Sequence, residues 1–277
     1  MRLVDHAKAH LVVLAVRDVG PLIARGALRI DGRTGAMADV VSRTATVTVD
    51  PDALGDLALV PEPVDLQILH EDDALIVVDK PAGMHVHPLG PHRRGTLLNA
   101  LLWHCGARPD QPWGAWRPGP IHRLDRAASG VVVFGKTAAN CDVLRRLSAS
   151  SELHRSYVAT VEGRLAAEAG TIDAPLGRDL NLDYRRAVVD GGQRAITHWR
   201  VLERSATRTV VAVTLETGRT HQIRAHLASI GHPIVGDDLY ASGVAPGATS
   251  IALHASNVSL RHPVTGVSLS VSSPRQI

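Results

Sequence analysis

Apolar and polar positions fall into short runs along this chain, most with the two-residue period of half-buried strands. Leu22 to Gly32 reads as a helix end, a short alternating strand and an Asp31-Gly32 turn. Val40 to Val49 alternates again, with Val47 and Val49 on one side and Thr46 and Thr48 on the other, and is expected to be a strand. Residues 1–60 thus predict a small α/β unit of helix, glycine, strand, turn and strand. Asp50 to Pro63, rich in Asp and Pro, is expected to be a linker.

Residues 61–277 carry longer apolar runs. Ile68 to Gly83 predicts a short strand, an acidic turn at Glu71-Asp72-Asp73, a buried strand and a stop at Lys80-Pro81-Ala82-Gly83. Proline there prevents strand continuation, and glycine permits the tight reversal. Thr96 is placed to cap a helix over Leu97 to His104, and Thr137 a helix with Val143, Leu144 and Leu147 on one face. Val131 to Phe134 predicts a core strand, Leu153 to Val161 another, and Thr197 to Leu202 with Val210 to Leu215 a pair. Gly106 to Gly119, with Trp113 and Trp116, and the polar stretch 171–194 are expected to be loops. Thr217 to His226 leads into a helix with Gly231 as its C′ residue, and Leu253 to Ala255 begins the closing strands.

Composition narrows the picture. A chain of 277 residues can bury a substantial core, and with 3% aromatic residues that core must be aliphatic. The same scarcity argues against a stacking platform for a long single strand. Cys105 and Cys141 have no CxxC spacing, so no disulfide framework is expected. No signal peptide is evident, and the apolar runs are too short to span a bilayer, so a cytoplasmic, monomeric protein is expected.

Charge is unevenly distributed. Residues 1–116 carry 11 Lys and Arg against 14 Asp and Glu, residues 117–224 carry 17 against 11, and the remainder balances at 2 against 2. The basic excess suits a polyanion-binding face, and equally a solvated surface. It coincides with Pro120-Ile121-His122-Arg123-Leu124-Asp125-Arg126-Ala127-Ala128-Ser129-Gly130, where one carboxylate sits among cations before an apolar strand. That arrangement holds a carboxylate in a fixed loop beside a buried strand; the plain alternative is a surface Arg–Asp–Arg cluster. The fifteen histidines invite a metal reading, and His85 and His87 would share a strand face, but His221 and His226 lie five apart rather than one helical turn and no cysteine pairing supports a site. Ser129 lacks a Gly-x-Ser-x-Gly setting, and no Walker-type loop occurs.

Four separated motifs resemble those of the RluA-type RNA pseudouridine synthases. They are Lys80-Pro81-Ala82-Gly83, His122-Arg123-Leu124-Asp125 with Ser129-Gly130, Arg155-Ser156-Tyr157-Val158-Ala159, and Gly218-Arg219-Thr220-His221-Gln222-Ile223-Arg224. The resemblance spans residues 65–277. Ala128 stands where the family usually has Thr, and Arg155 where it usually has Lys.

The resemblance implies an α+β fold: a mixed, mainly antiparallel sheet flanked by helices, a catalytic cleft across its middle, and the small N-terminal unit. It implies isomerisation of uridine in structured RNA, ribosomal or transfer, with no metal and no cofactor. Asp125 would be the catalytic carboxylate, as nucleophile or base. Tyr157 would pack against the flipped uracil, and Arg224 would pair with Asp125. Lys80, His122, Arg123, Arg126, Arg219 and His221 would bind RNA, Arg123 by filling the vacated space or by touching phosphate. Residues 1–60 resemble the family's small RNA-binding module or a degenerate adaptor. The competing reading is a non-catalytic RNA-binding or ribosome-assembly protein that retains the fold.

Overall fold

The computed structural model describes residues 1–11, 18–54, 59–89, 92–108, 118–150, 152–179, 182, 184–244, 247 and 249–275. The expected loop around Trp113 and Trp116 lies outside them.

The N-terminal unit contains α1 (Leu3–His10), α2 (Val19–Ala24), β1 (Leu28–Ile30), β2 (Arg33–Thr34), β3 (Val47–Val49) and the short α3 (Pro51–Leu54). β1 is the centre of a three-stranded antiparallel sheet. The reversal into β2 runs through Asp31 and Gly32, both at positive φ, so the Asp-Gly turn forms as expected. Only Val47–Val49 of the expected Val40–Val49 strand is extended. The remainder is held by local contacts, such as the Asp31 carboxylate accepting the Thr46 N–H at 2.8 Å. Nor do the described residues of 50–63 form an open linker: Leu54 and Leu59 are buried in one apolar cluster with Leu22, Leu28, Leu101 and Phe134.

The main sheet has ten strands. Its path is β4 (Ile68–Glu71), β5 (Leu75–Lys80), β7 (Ser129–Gly135), β14 (Leu253–Arg261), β8 (His154–Glu162), β13 (Arg208–Leu215), β12 (Ile196–Arg204) and β9 (Ala169–Asp173). β6 (Gly119–Pro120) and β15 (Ser268–Ser272) pair beside β7 and β14. Every pairing is antiparallel except β7 with β14. The sheet is therefore mixed and mainly antiparallel, as expected. Val131, Val132, Val133 and Phe134 are buried on both faces of β7, which explains their continuous apolar run.

Helices α4 (Leu97–His104), α5 (Ala138–Ala149) and α6 (Gln222–Ser229) complete the unit. Thr96 and Asn99 form a capping box on α4, and the Thr137 hydroxyl accepts the Asn140 N–H on α5. The α6 terminus is a Schellman turn, with Gly231 N–H to Ala228 and His232 N–H to Leu227. The polar stretch 171–194 is more ordered than expected. It supplies the end of β9 and a hairpin of β10 (Leu176–Arg178) and β11 (Arg186–Val188).

The parallel junction positions the site. In register, Gly130 of β7 lies beside Ala255 of β14, which lies beside Tyr157 of β8. Gly130 has φ +114°, and a Cβ there would strike the Ala255 backbone, so only glycine lets the strands approach. The loop 121–128 therefore enters the middle of the sheet opposite Tyr157.

Candidate active site

Two anchors fix the loop that carries Asp125. At its start, Ile121 N–H bonds to Val133 at 3.0 Å, and Val133 N–H donates to His122 Nε2 at 3.2 Å. At its end, the loop is held from below by Lys80. This side chain is fully buried, and its Nζ donates to the carbonyls of Pro81, Met84, Arg126 and Ala128 at 2.6–3.3 Å. Gly83, at positive φ, donates its N–H to Arg126 at 2.8 Å. The Lys-Pro-x-Gly turn is thus stapled to the Asp125 loop.

Two residues expected to touch RNA have internal partners in this geometry. Lys80 is an internal staple, because all its donors face carbonyls beneath the loop. Burial drives its ammonium down to about 8, opposed by the charge of Asp125. His122 lines the cleft wall but serves as a neutral acceptor for Val133. Burial, and then Arg155, push it down to about 3, which favours the neutral ring. Ala128 is buried and contributes its carbonyl to Lys80, so no hydroxyl is required there for that contact.

Asp125 lies part-exposed in a cleft of about 810 Å³ between loop 121–128, β8 and the segment entering α6. Arg224 Nη1 donates to its Oδ2 at 3.1 Å. The planar fork of Arg224 is directed elsewhere: Nε and Nη2 each donate at 2.7 Å to the two oxygens of Asp237, which is fully buried. Burial would lower the Arg224 pKa, but the Asp237 bonds and the Asp125 charge reverse that and raise it. The guanidinium also lies 5.2 Å from the Tyr240 ring centre. Asp237 and Tyr240 hold Arg224, and Arg224 holds Asp125.

His221 closes the far side. It sits at the N-cap of α6 with φ +56°, its Nε2 4.0 Å from Asp125 Oδ1 and its Nδ1 3.2 Å from the Tyr240 hydroxyl. Burial lowers its pKa, with Asp125 opposing. Gln222 secures this entry to α6. Its Oε1 accepts from Thr217 Oγ1 and Arg219 N–H, and its Nε2 donates to Ile196 O and Thr197 Oγ1.

Tyr157 is buried in the cleft wall, its hydroxyl pushed up by burial. With Leu124, Leu215 and Leu253 it forms the apolar part of a small hollow beside Asp125, whose other side is lined by polar groups including His221, Gln222 and Arg224. Arg123, Arg126 and Arg219 lie exposed on the cleft rim, with Arg123 donating to Thr220 at 3.3 Å and Arg219 to the Arg194 carbonyl at 3.1 Å. Arg155, on β8, lines the same cleft. Eight of the nine expected residues border the cleft; Lys80 lies beneath it. Sequence reasoning missed Asp237, Tyr240 and Gln222. A signal for Asp237 existed in Gly236-Asp237, a turn glycine followed by an acid shortly after α6.

The chain matches the family described as RNA pseudouridylate synthase over residues 74–229. It is 40% identical to ribosomal large subunit pseudouridine synthase D of Pseudomonas aeruginosa, over 91% of this chain and 81% of that protein. It is 41% identical to the uncharacterized RNA pseudouridine synthase YlyB of Bacillus subtilis, over 83% of this chain and 75% of that one. Its fold resembles human RNA pseudouridylate synthase domain containing 1, with a TM-score of 0.64 at 22% identity over 77% of this chain and 85% of that one. The family match covers more than half of the sequence and includes Asp125, Tyr157 and Arg224. This chain belongs to the RNA pseudouridylate synthase family and is an RNA pseudouridine synthase.

Proposed function

We propose that the protein isomerises specific uridines of ribosomal RNA to pseudouridine, with Asp125 as the catalytic carboxylate. The supporting observation is the chain of contacts from Asp237 through Arg224 to Asp125 at the floor of a basic-rimmed cleft. The reaction breaks the N-glycosidic bond, turns the uracil and rejoins it through carbon, so nothing is oxidised and no group leaves the RNA. Asp125 acts either as nucleophile at the sugar or as base. Arg224 orients it, and Tyr157 packs against the extruded uracil, whose unstacking costs a few kcal/mol.

Ribosomal RNA is favoured over transfer RNA because relatives such as the Pseudomonas aeruginosa protein are named for the large ribosomal subunit. On this reading the protein acts in the cytoplasm as a monomer, without metal or cofactor. The basic rim carries the RNA, while residues 1–60, packed against α4 and β7, add affinity for large RNA. Mapping pseudouridine in ribosomal and transfer RNA from cells with and without the gene tests this reading. A ribosomal position that loses its modification supports it; an unchanged ribosomal map with a lost transfer-RNA position contradicts it.

A further inference from the structure

Beside the catalytic cleft lies a second groove of about 420 Å³, formed by the β10–β11 hairpin, the loop at Gly191-Gly192, and Arg219-Thr220. It adjoins the cleft, since Arg219 and Thr220 line both.

Charge in this groove is arranged against the needs of folding. Arg178 and Arg186 are directly opposed across the antiparallel hairpin, so their side chains share one face. Like charges in that position destabilise a strand pair by roughly 0.2–1 kcal/mol. No carboxylate pairs with either among the described residues. Asp179, next in sequence, is buried and committed to Arg185 at 2.6 Å. The Nη1 of Arg186 is buried with no hydrogen-bond partner among the described residues. An unfilled buried donor of a charged group costs more than a neutral one. The backbone beneath it is fixed, because the Tyr240 hydroxyl accepts from Arg186 N–H at 3.0 Å and donates to Arg186 O at 2.9 Å. The same hydroxyl contacts His221, which ties the groove to the wall of the catalytic cleft. Gly191 leaves the opposite rim open, with nothing near the position a side chain would take, so a phosphate can approach the backbone there, while Gly192 packs on the Leu176 backbone.

We propose that this groove is a second phosphate-binding site, in which Arg178 and Arg186 hold the RNA phosphodiester backbone flanking the extruded uridine while Arg219 bridges groove and cleft. It rests on the protein's activity on RNA and adds a place where the strand leaves the site. Opposed arginines suit it because each guanidinium can offer two donors to one phosphate.

The test is binding of the full chain to an unmodified large-subunit ribosomal RNA transcript across a salt series. Each phosphate contact contributes about 0.7–0.9 to the slope of log affinity against log salt, so Arg178→Gln with Arg186→Gln should flatten it by about 1 to 2. Affinity near physiological salt should fall about tenfold. Arg178→Lys with Arg186→Lys keeps both charges and should restore the slope. An unchanged slope in the Gln pair overturns the proposal, even if affinity drops, because such a loss would come from a distorted site. A slope that Lys fails to restore overturns it too. Pseudouridine formed in the same transcript by the native protein tests the ribosomal reading separately: no product contradicts that reading, whereas the slope comparison decides the groove.

Discussion

Asp237 decides how well Asp125 is aimed, although it touches no substrate. Both its oxygens take the Arg224 fork, leaving one guanidinium nitrogen for Asp125. Asp237→Asn removes a buried charge opposite Arg224, a type of loss that costs about 3–5 kcal/mol. The misplaced Arg224 should slow single-turnover isomerisation at saturating RNA by about 100-fold. Thermal melting and quenched-flow product analysis would read the two effects, and wild-type values in both would contradict the clamp. Arg224→Lys should recover only part of the loss in Arg224→Ala, since a lysine cannot span Asp237 and Asp125 together. Very little of this was legible in advance. The motif pointed to a pairing of Arg224 with Asp125, and Gly236-Asp237 marked a turn after α6, but only the folded chain brings that carboxylate onto the Arg224 fork.

His122 gives a pH signature of its own. Its folded pKa, about 3, lies below the ordinary histidine value of 6.5, so the unfolded chain binds the extra proton between those limits. The stability it contributes is therefore complete above pH 6.5 and is lost as pH falls toward 3. Protonation must also sever the bond from Val133 N–H. Fully expressed, the shift corresponds to roughly 5 kcal/mol. Urea unfolding at pH 7.5 and pH 5 should show a steeper loss for wild type than for His122→Gln, which retains an acceptor but does not titrate. Equal losses would contradict the buried neutral assignment.

At the scale of elements, Lys80 shows how a strand end controls a loop from another part of the chain. The resemblance implied an RNA contact for it, whereas in the fold it is buried beneath the loop. Lys80→Met should lower stability by about 2–4 kcal/mol, because four carbonyls lose their donor. Its salt slope for RNA binding should stay at the wild-type value. A slope flatter by about 1 would instead mean a phosphate contact. The well-read elements were those with strong local signals: the apolar run of β7, the threonine caps of α4 and α5, and the glycine ending α6. The 171–194 stretch was not, because β9 exposes alternate residues at the sheet edge and β10 and β11 are three residues each. Their pairing partners, not their composition, make them strands.

Across the whole molecule, the proposed division near residue 60 meets a shared interior. Leu54, Leu59, Leu22 and Leu28 join α4 and β7 in one apolar cluster. Removing residues 1–60 should therefore uncover the faces of Leu97 and Leu101 and lower the melting temperature of the remainder by several degrees. An unchanged melting temperature would show that the catalytic unit stands alone. Asp and Pro in the sequence suggested a linker, yet a few leucines among them suffice to bind the segment down.

The central claim is that Asp125 performs the chemistry in a site the rest of the chain preorganises. Asp125→Asn keeps the shape and the Arg224 contact while removing the nucleophilic or basic oxygen. Single-turnover pseudouridine formation at saturating RNA, with affinity measured alongside, tests it most directly. The expected result is near-native RNA affinity with product formation below a few percent of the wild-type rate. An Asn variant that binds equally well and still isomerises uridine at more than a few percent of that rate would contradict the account.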